Sequence, residues 1–202
     1  RRAVICSQSN FDTDYRVAKM AATLRSCGYE VTLLGRSHPR EARAAAPGAH
    51  YMKMLFWHGP LFYAELNVRL LFHLLFCRRP ALIVSIDLDT LAGCLAASKV
   101  RGARLMFDSH ELFPEVPEIA GKPFVRRVWQ RVQDFCVPRM RATDVRVTVC
   151  RSIADIFRSA YGREFLVVRN VPLAARAEAV RHMTARAGRR PFTILYQGAV
   201  NV

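Results

Sequence analysis

The sequence predicts an α/β protein built on an open parallel sheet. Short apolar runs typical of buried strands alternate along the chain with longer segments in which apolar residues recur every three or four positions, the spacing of a helix. The first strand, helix and second strand together take about 35 residues, the length of one parallel crossover unit. Of the 202 residues 51% are hydrophobic, enough for one well-buried domain of roughly 150 residues and a remainder.

The first crossover unit shows these signals most clearly. A strand from Ala3 to Cys6 is followed by a polar loop and then by a helix that Asp14 can cap and Gly28 can end. A second strand follows from Val31 to Leu34. The loop at residues 7–13 lacks the Gly-x-Gly-x-x-Gly pattern, so a nicotinamide or flavin dinucleotide site is not expected there.

The rest of the chain continues the alternation. Further strands are predicted at Tyr51 to Phe56, Ala81 to Ile86, Leu105 to Phe107, Val145 to Val149 and Phe165 to Val168. Further helices are predicted at Phe62 to Cys77, Thr90 to Val100, Phe124 to Cys136, and after Ser152 up to Gly162. On the third of these helices the apolar residues expected to face inward are Phe124, Val125, Val128, Trp129, Val132 and Phe135.

The helix predicted from Phe62 to Cys77 is unusually apolar. Its 16 residues fall short of the roughly 20 that cross a bilayer. Two interpretations stay open: the helix packs between the sheet and its neighbours, or it lies on a lipid surface with Arg78 and Arg79 at the head groups.

The net charge of +15 is unevenly distributed along the chain. Residues 1–119 carry 15 Lys and Arg against 11 Asp and Glu, whereas residues 120–202 carry 16 against 5. The positive electrostatic field of such a basic chain attracts polyanions, anionic lipid head groups or phosphorylated substrates. The charge alone does not indicate which of these is the partner.

The six cysteines are at least 14 positions apart, so no Cys-x-x-Cys metal or redox pair exists. No metal site is predicted, and the natural compartment is the reducing cytoplasm.

Ionisable groups concentrate directly after the predicted strand Leu105 to Phe107. Asp108, His110, Glu111 and Glu115 follow it within eight residues, in a segment that prolines keep from forming a regular helix. In an open parallel sheet ligands bind at the carboxyl ends of the strands. This segment is therefore the candidate site.

Four segments, in this order, resemble one family. They are Asp14-Tyr15-Arg16-Val17, Phe107-Asp108-Ser109-His110-Glu111, Val168-Arg169-Asn170-Val171-Pro172 and Ile194-Leu195-Tyr196-Gln197-Gly198-Ala199. They resemble the family-4 glycosyltransferases of the GT-B fold, which has two Rossmann-like domains. The resemblance implies a Rossmann-like, doubly wound parallel sheet at 1–172, the acceptor-side N-terminal domain, with a linker and the first strand of a truncated donor-side domain at 173–202.

The resemblance also implies an activity. A retaining hexosyltransferase of this type moves a sugar from a nucleotide diphosphate sugar to a glycan or lipid-linked acceptor in cell-surface polysaccharide or glycolipid synthesis, usually without a metal or other cofactor. We expect a cytoplasmic protein, peripheral at the inner face of an anionic membrane, and a fragment that is inactive alone. The alternatives are a basic non-enzymatic domain that binds nucleic acid or membrane, and another GT-B sugar-nucleotide enzyme such as an epimerase. No zinc spacing or Lys/Arg-interleaved aromatic platform supports a nucleic-acid partner.

The resemblance assigns catalysis to His110 and Glu111. His110 would meet the reacting sugar or the acceptor, and its ordinary pKa near 6.5 suits proton transfer. The alternatives are a structural histidine satisfied by the backbone or by Asp108, and a solvated loop carboxylate at Glu111.

The binding residues implied by the resemblance come from three segments. Asp14, Arg16, Asp108 and Asn170 would bind the acceptor or substrate, and Gly198 the donor diphosphate. Two alternatives stay open: Arg16 is paired with Asp14 or Asp12, and Gly198 lies in an ordinary turn.

Overall fold

A computed structural model gives the structure of residues 1–9, 11, 14–36 and 47–171. The strands are β1 (Arg2–Cys6), β2 (Glu30–Arg36), β3 (Ala49–Met52), β4 (Leu82–Ile86), β5 (Arg104–Ser109), β6 (Val145–Thr148) and β7 (Leu166–Val167). The helices are α1 (Tyr15–Ser26), α2 (Gly59–Phe76), α3 (Leu88–Arg101), α4 (Pro117–Ala120), α5 (Pro123–Arg139) and α6 (Arg151–Tyr161).

The strands form one sheet in the order β3-β2-β1-β4-β5-β6-β7, and every neighbouring pair is parallel. The chain builds the sheet outward from β1 in one direction and then, starting again at β4, in the other. This is the predicted doubly wound α/β sheet. Its topological switch point lies between the carboxyl ends of β1 and β4, where such sheets bind ligands.

The core lies on both faces of the sheet, because successive side chains of a strand point to opposite faces. In β4, Ile83 packs into one cluster with residues of α2, α3 and α5, whereas Val84 and Ile86 pack into a second cluster with Val17 and Ala21 of α1. Strands covered on both faces consist of continuous apolar residues, and this pattern allowed them to be predicted from the sequence.

β3 begins earlier than predicted and ends at Met52. The predicted continuation to Phe56 is wrong. Residues 55 and 56 leave the sheet and are exposed, and their backbone amides donate instead to the Glu65 carboxylate of α2 at 2.9 to 3.0 Å.

α2 packs against the core along one side, as the first interpretation expects, and its contact with lipid stays a prediction. Phe62, Leu66, Leu70 and Leu74, four residues apart, are buried against the core. The opposite side is also apolar but exposed, and we call it the α2 outer face; its members are Leu61, Val68, Phe72 and Phe76. In the part of the chain that the structure describes, no helix is long and apolar enough to span a membrane.

The first two turns of α5 are exposed, and its buried residues begin at Trp129. Trp129 is packed into the core and Val132 is partly buried against it, as the periodicity predicts. Cys136 and Val137 are also buried, although they were not in the predicted inward set. The inward orientation predicted for Phe124, Val125, Val128 and Phe135 is wrong, since these side chains are between 36% and 75% exposed. The first turns of α5 border an open cavity, so their apolar side has no core to face.

The chain divides into two compact units, Arg1–Val168 and Arg169–Val202. The structure describes residues 169–171 of the second unit. The linker and the strand predicted at 173–202 lie outside the described residues, so that domain assignment stays a prediction.

Candidate functional site

A buried ion pair forms the base of the candidate site. Arg16, in the first turn of α1, donates from Nε to Asp108 Oδ2 at 2.8 Å and from Nη2 to Oδ1 at 2.6 Å. Its Nη1 donates to the backbone oxygen of Val168 at 2.8 Å. The guanidinium thus ties α1 to β5 and to the segment after β7. Both charged side chains are buried, and Asp108 is completely so.

His110 stands above this pair with a carboxylate on each side. Its Nε2 lies 3.2 Å from Asp108 Oδ2 and its Nδ1 lies 3.4 Å from Asp87 Oδ2. The His110 backbone amide also donates to Asp87 Oδ1 at 2.8 Å. The side chains of His110 and Asp87 are 23% and 22% exposed, so a ligand can reach this part of the cluster.

Asp87 has a backbone conformation that non-glycine residues rarely adopt. It follows β4 directly and caps α3 with φ 58° and ψ 173°. A residue held in this region carries a strain of about 1–3 kcal/mol, and such residues cluster at functional sites. Its amide donates to the Asp108 backbone oxygen at 3.0 Å, so the strained residue is fixed to β5.

The charges in the cluster shift one another's pKa values. Burial alone would raise the pKa of Asp108, but hydrogen bonds from His110 and Arg16 outweigh it and hold that pKa below its usual value. Burial likewise opposes the charged form of His110, yet the carboxylates of Asp108 and Asp87 raise its pKa. For Asp87 burial dominates over the attraction of His110 and raises the pKa to about 6. Asp87, with a pKa of about 6, is therefore in contact with a histidine whose pKa is raised above its ordinary value, an arrangement suited to proton transfer.

Asp14 caps α1, as the sequence predicts. Its Oδ1 accepts from the amides of Arg16 at 3.1 Å and Val17 at 3.0 Å, and Ser9 Oγ donates to its Oδ2 at 2.7 Å. These contacts fix the start of the helix that carries Arg16. The first loop thus supplies a side-chain hydroxyl, that of Ser9, as a hydrogen-bond donor, where a glycine-rich loop would supply backbone amides.

Three predicted site residues, Glu111, Asn170 and Gly198, are not members of the buried pair. Glu111 follows His110 and is exposed, and its backbone oxygen accepts from Ser109 Oγ at 2.9 Å. Asn170 is exposed in the segment after β7. Gly198 lies outside the described residues. Within residues 1–9, 11, 14–36 and 47–171 no three His, Cys, Asp or Glu side chains are grouped so as to hold a metal ion.

Asp87 was not among the site residues predicted from the sequence. The available signal was a carboxylate directly after a strongly apolar strand, the same signal that identified Asp108. It becomes meaningful only once β4 and β5 are known to be neighbours, with Ile86 opposite Asp108.

An open parallel sheet with ionisable side chains at its carboxyl edge, beside the switch point, defines a Rossmann-like ligand-binding protein. The chain belongs to the family described as the glycosyl transferase 4-like domain, whose model matches residues 13–174. This match confirms the predicted resemblance to family-4 glycosyltransferases. It also confirms, at the level of the family, that the chain is part of a glycosyltransferase. No curated protein matches the chain in sequence.

Solved structures support the fold. A chain of sucrose-phosphate synthase from Thermosynechococcus elongatus is similar with a TM-score of 0.54 and 10% identity, over 92% of this chain and 96% of that one. A second chain of the same enzyme is similar with a TM-score of 0.53 and 12% identity, over 89% of this chain. The match spans 52% of that second chain, about half its length.

Proposed function

We propose that this chain is the acceptor-side part of a retaining glycosyltransferase that moves a sugar from a nucleotide diphosphate sugar to a glycan or lipid-linked acceptor. The observation that carries the proposal is the cluster of Asp87, His110, Asp108 and Arg16 at the carboxyl edge of the sheet, in a chain of the glycosyl transferase 4-like family. The cluster is partly accessible, charged and fixed by backbone contacts. These are the properties that a site for positioning a hydroxyl substrate needs.

In this proposal His110 is the catalytic residue that meets the reacting sugar or the acceptor hydroxyl. Contacts with two carboxylates favour its protonated form. On substrate binding the Nδ1–H exchanges its 3.4 Å contact with Asp87 for a hydrogen bond to an oxygen that gains negative charge, while Nε2 stays on Asp108. Asp87 is the acceptor for a proton released near it, because its pKa of about 6 lies close to neutrality.

The remaining residues hold or extend the site. Arg16 and Asp14 act through Asp108 and α1, since their polar atoms contact the protein itself. Asp108 orients the His110 ring. Glu111, exposed next to His110, accepts a hydrogen bond from an acceptor hydroxyl.

The last two site residues belong to the second unit. Asn170 contacts substrate from the segment after β7, and Gly198 admits the donor diphosphate to backbone amides.

We also assign the protein to the cytoplasmic face of a membrane. All six cysteines are free thiols, which suits a reducing compartment. The net charge of +15 and the exposed α2 outer face favour an anionic lipid surface, with Arg78 at its rim. Such a location suits synthesis of cell-surface polysaccharide or glycolipid.

The test is product analysis with the full-length protein. Nucleotide diphosphate sugars are offered together with water-soluble glycans and with lipid-linked acceptors, and the anomeric configuration of each product is read by proton NMR. Transfer with retained configuration supports the proposal. An inverted product, or a changed sugar nucleotide without transfer, contradicts it.

A further inference from the structure

A cavity of about 560 Å³ lies between α2, α3, α4 and α5. Its lining is mainly apolar and includes Tyr63, Leu88, Ile119, Val128 and Trp129. Pockets that bind small molecules typically measure about 300–1,000 Å³. The cavity therefore has the size of a ligand site, although none of the cluster residues described above lines it.

The aromatic wall of the cavity is well ordered by packing. The Trp129 ring meets Tyr63 edge to face at 4.8 Å and Phe113 at 4.7 Å between ring centres. Rings held in this way form a rigid wall. The shape of the cavity thus belongs to the fold and does not depend on loose side chains.

The amide of Asn67 lines the cavity but is already used by the protein. Its Nδ2 donates to the backbone oxygens of Tyr63 at 2.9 Å and Asp89 at 2.7 Å, while its Oδ1 accepts from the Gly93 amide at 2.8 Å. Water in this region gains little from Asn67, so an apolar occupant is favoured.

The entrance of the cavity is apolar as well. Phe124 is 75% exposed and Val128 is 42% exposed, and both line it. Ala64 also lines it and lies one helical turn from Leu61 and Val68 of the α2 outer face. The cavity therefore opens beside the surface that we assign to the membrane, and this continuity indicates that its occupant comes from lipid.

The cavity and the candidate site are neighbours at the start of α3, although they share no residue. Leu88 lines the cavity and directly follows Asp87, which contacts His110. A molecule with an apolar chain in the cavity would thus place its polar end near the ionisable cluster. The lining contains one cation, Lys122, and one carboxylate, Glu118, and Lys122 is the group that attracts an anionic head group.

We infer that this cavity binds the single hydrocarbon chain of an amphiphilic acceptor, an alkyl or isoprenoid chain that carries a phosphate or a glycosyl phosphate. The inference rests on the proposed function for the identity of the head group. The binding of an apolar chain rests on the volume and the lining of the cavity.

Direct binding tests the inference without any transferase activity. The protein has two tryptophans, so the Trp57→Phe variant leaves Trp129, in the cavity wall, as the single fluorophore. Decyl phosphate below its micelle concentration should shift the Trp129 emission saturably, and inorganic phosphate should not. A response that is absent, or does not saturate, overturns the inference.

Substitutions then locate the bound chain. Ala92 is exposed and lines the cavity, so Ala92→Leu should fill space needed by the ligand and weaken decyl phosphate binding about tenfold or more. Ala160 of α6 is exposed outside the cavity, and Ala160→Leu is the matched control with unchanged affinity. Equal affinities of the two variants would place the ligand elsewhere and contradict the inference.

Two further outcomes separate this inference from the proposed function. Decyl phosphate binding that Ala92→Leu weakens, in a full-length protein that transfers no sugar, supports the cavity and contradicts the proposed function. If the full-length protein transfers sugar to a lipid-linked acceptor and Ala92→Leu leaves that transfer unchanged, the proposed function is supported and the cavity inference is contradicted. If sedimentation shows that the cavity is closed by a second copy of the chain, and Ala92→Leu changes only that association, the inference is also overturned.

Discussion

At the residue scale, the buried ion pair between Arg16 and Asp108 connects α1 to the middle of the sheet. Removal of one partner leaves a charge buried without its counterion, which typically costs about 3–5 kcal/mol. We expect Arg16→Gln to lower the free energy of unfolding by an amount in this range, measured by urea denaturation at pH 7. The control is Arg126→Gln, which removes an exposed ion pair with Glu115 and should change stability little. Equal effects of the two variants would show that the buried pair does not hold α1 in place.

The protonation of His110 gives a second prediction at this scale. Because Asp108 and Asp87 raise its pKa, the His110 ring should titrate above about 6.5 by NMR. Asp87→Asn removes one of the two charges and should lower that pKa, while asparagine tolerates the unusual backbone better than most residues.

The same shift has a consequence for stability with a defined sign. The folded-state pKa of His110 exceeds its unfolded value, so its contribution to stability is complete below about pH 6.5 and is lost as the pH rises through the folded pKa. His110→Gln should therefore destabilise the protein more at pH 5.5 than at pH 9. A His110 pKa at or below the ordinary value, or the opposite pH trend, would contradict the described contacts.

Individual site residues differed in how far the sequence could predict them. Asp108 and His110 stood out because several ionisable groups follow one apolar strand, and Asp14 because it precedes a periodic segment. Their partners could not be predicted, since Arg16 and Asp108 are 92 positions apart and meet only through the strand order. Asp87 was missed because the strain in its backbone leaves no trace in residue type.

At the element scale, the tightest packing is between α2 and α3. A Cβ atom added to Gly93 would lie 2.5 Å from the backbone oxygen of Asn67, a distance that real structures do not allow. Gly93→Ala must therefore push the two helices apart, and we expect a loss of about 1–3 kcal/mol in urea denaturation.

Gly121, between α4 and α5, offers the matched control for this substitution. It has an ordinary negative φ, and an added Cβ would meet nothing within 4 Å. Gly121→Ala should leave stability unchanged or slightly higher. If Gly93→Ala were equally harmless, the described helix packing would be wrong.

The elements themselves were predictable to the extent that burial produces a pattern. β4 and β5 are covered on both faces, so each appears as an apolar run, and α1 shows one apolar stripe. The first turns of α5 have the same periodicity but line a cavity, and periodicity alone does not say whether an apolar side meets a core or a ligand. The end of β3 was missed because Leu55 and Phe56 are apolar yet bonded to Glu65 through their backbone.

At the scale of the whole molecule, positive charge and the exposed α2 outer face together predict membrane binding. Phe72 and Phe76 stack at 6.2 Å on that face. The double variant Phe72→Ser with Phe76→Ser should reduce co-sedimentation with phosphatidylglycerol vesicles by about tenfold, because it removes much of the apolar area that enters the lipid.

Exposed Phe135 on α5 provides the control, and Phe135→Ser should bind vesicles as the parent chain does. Added salt should weaken binding in every variant by screening the positive charge. Vesicle binding that depends on salt alone, with no effect of the α2 substitutions, would contradict the assigned face.

The central claim is that the cluster around His110 is the place where sugar transfer occurs. The most direct measurement is kcat for nucleoside diphosphate release by the full-length protein with donor and acceptor, compared between the parent and His110→Gln. Exposed His58, at the start of α2, provides the control as His58→Gln. The account predicts a fall of about 100-fold or more for His110→Gln in a protein that remains folded, and no change for His58→Gln. Full activity in folded His110→Gln would contradict the account.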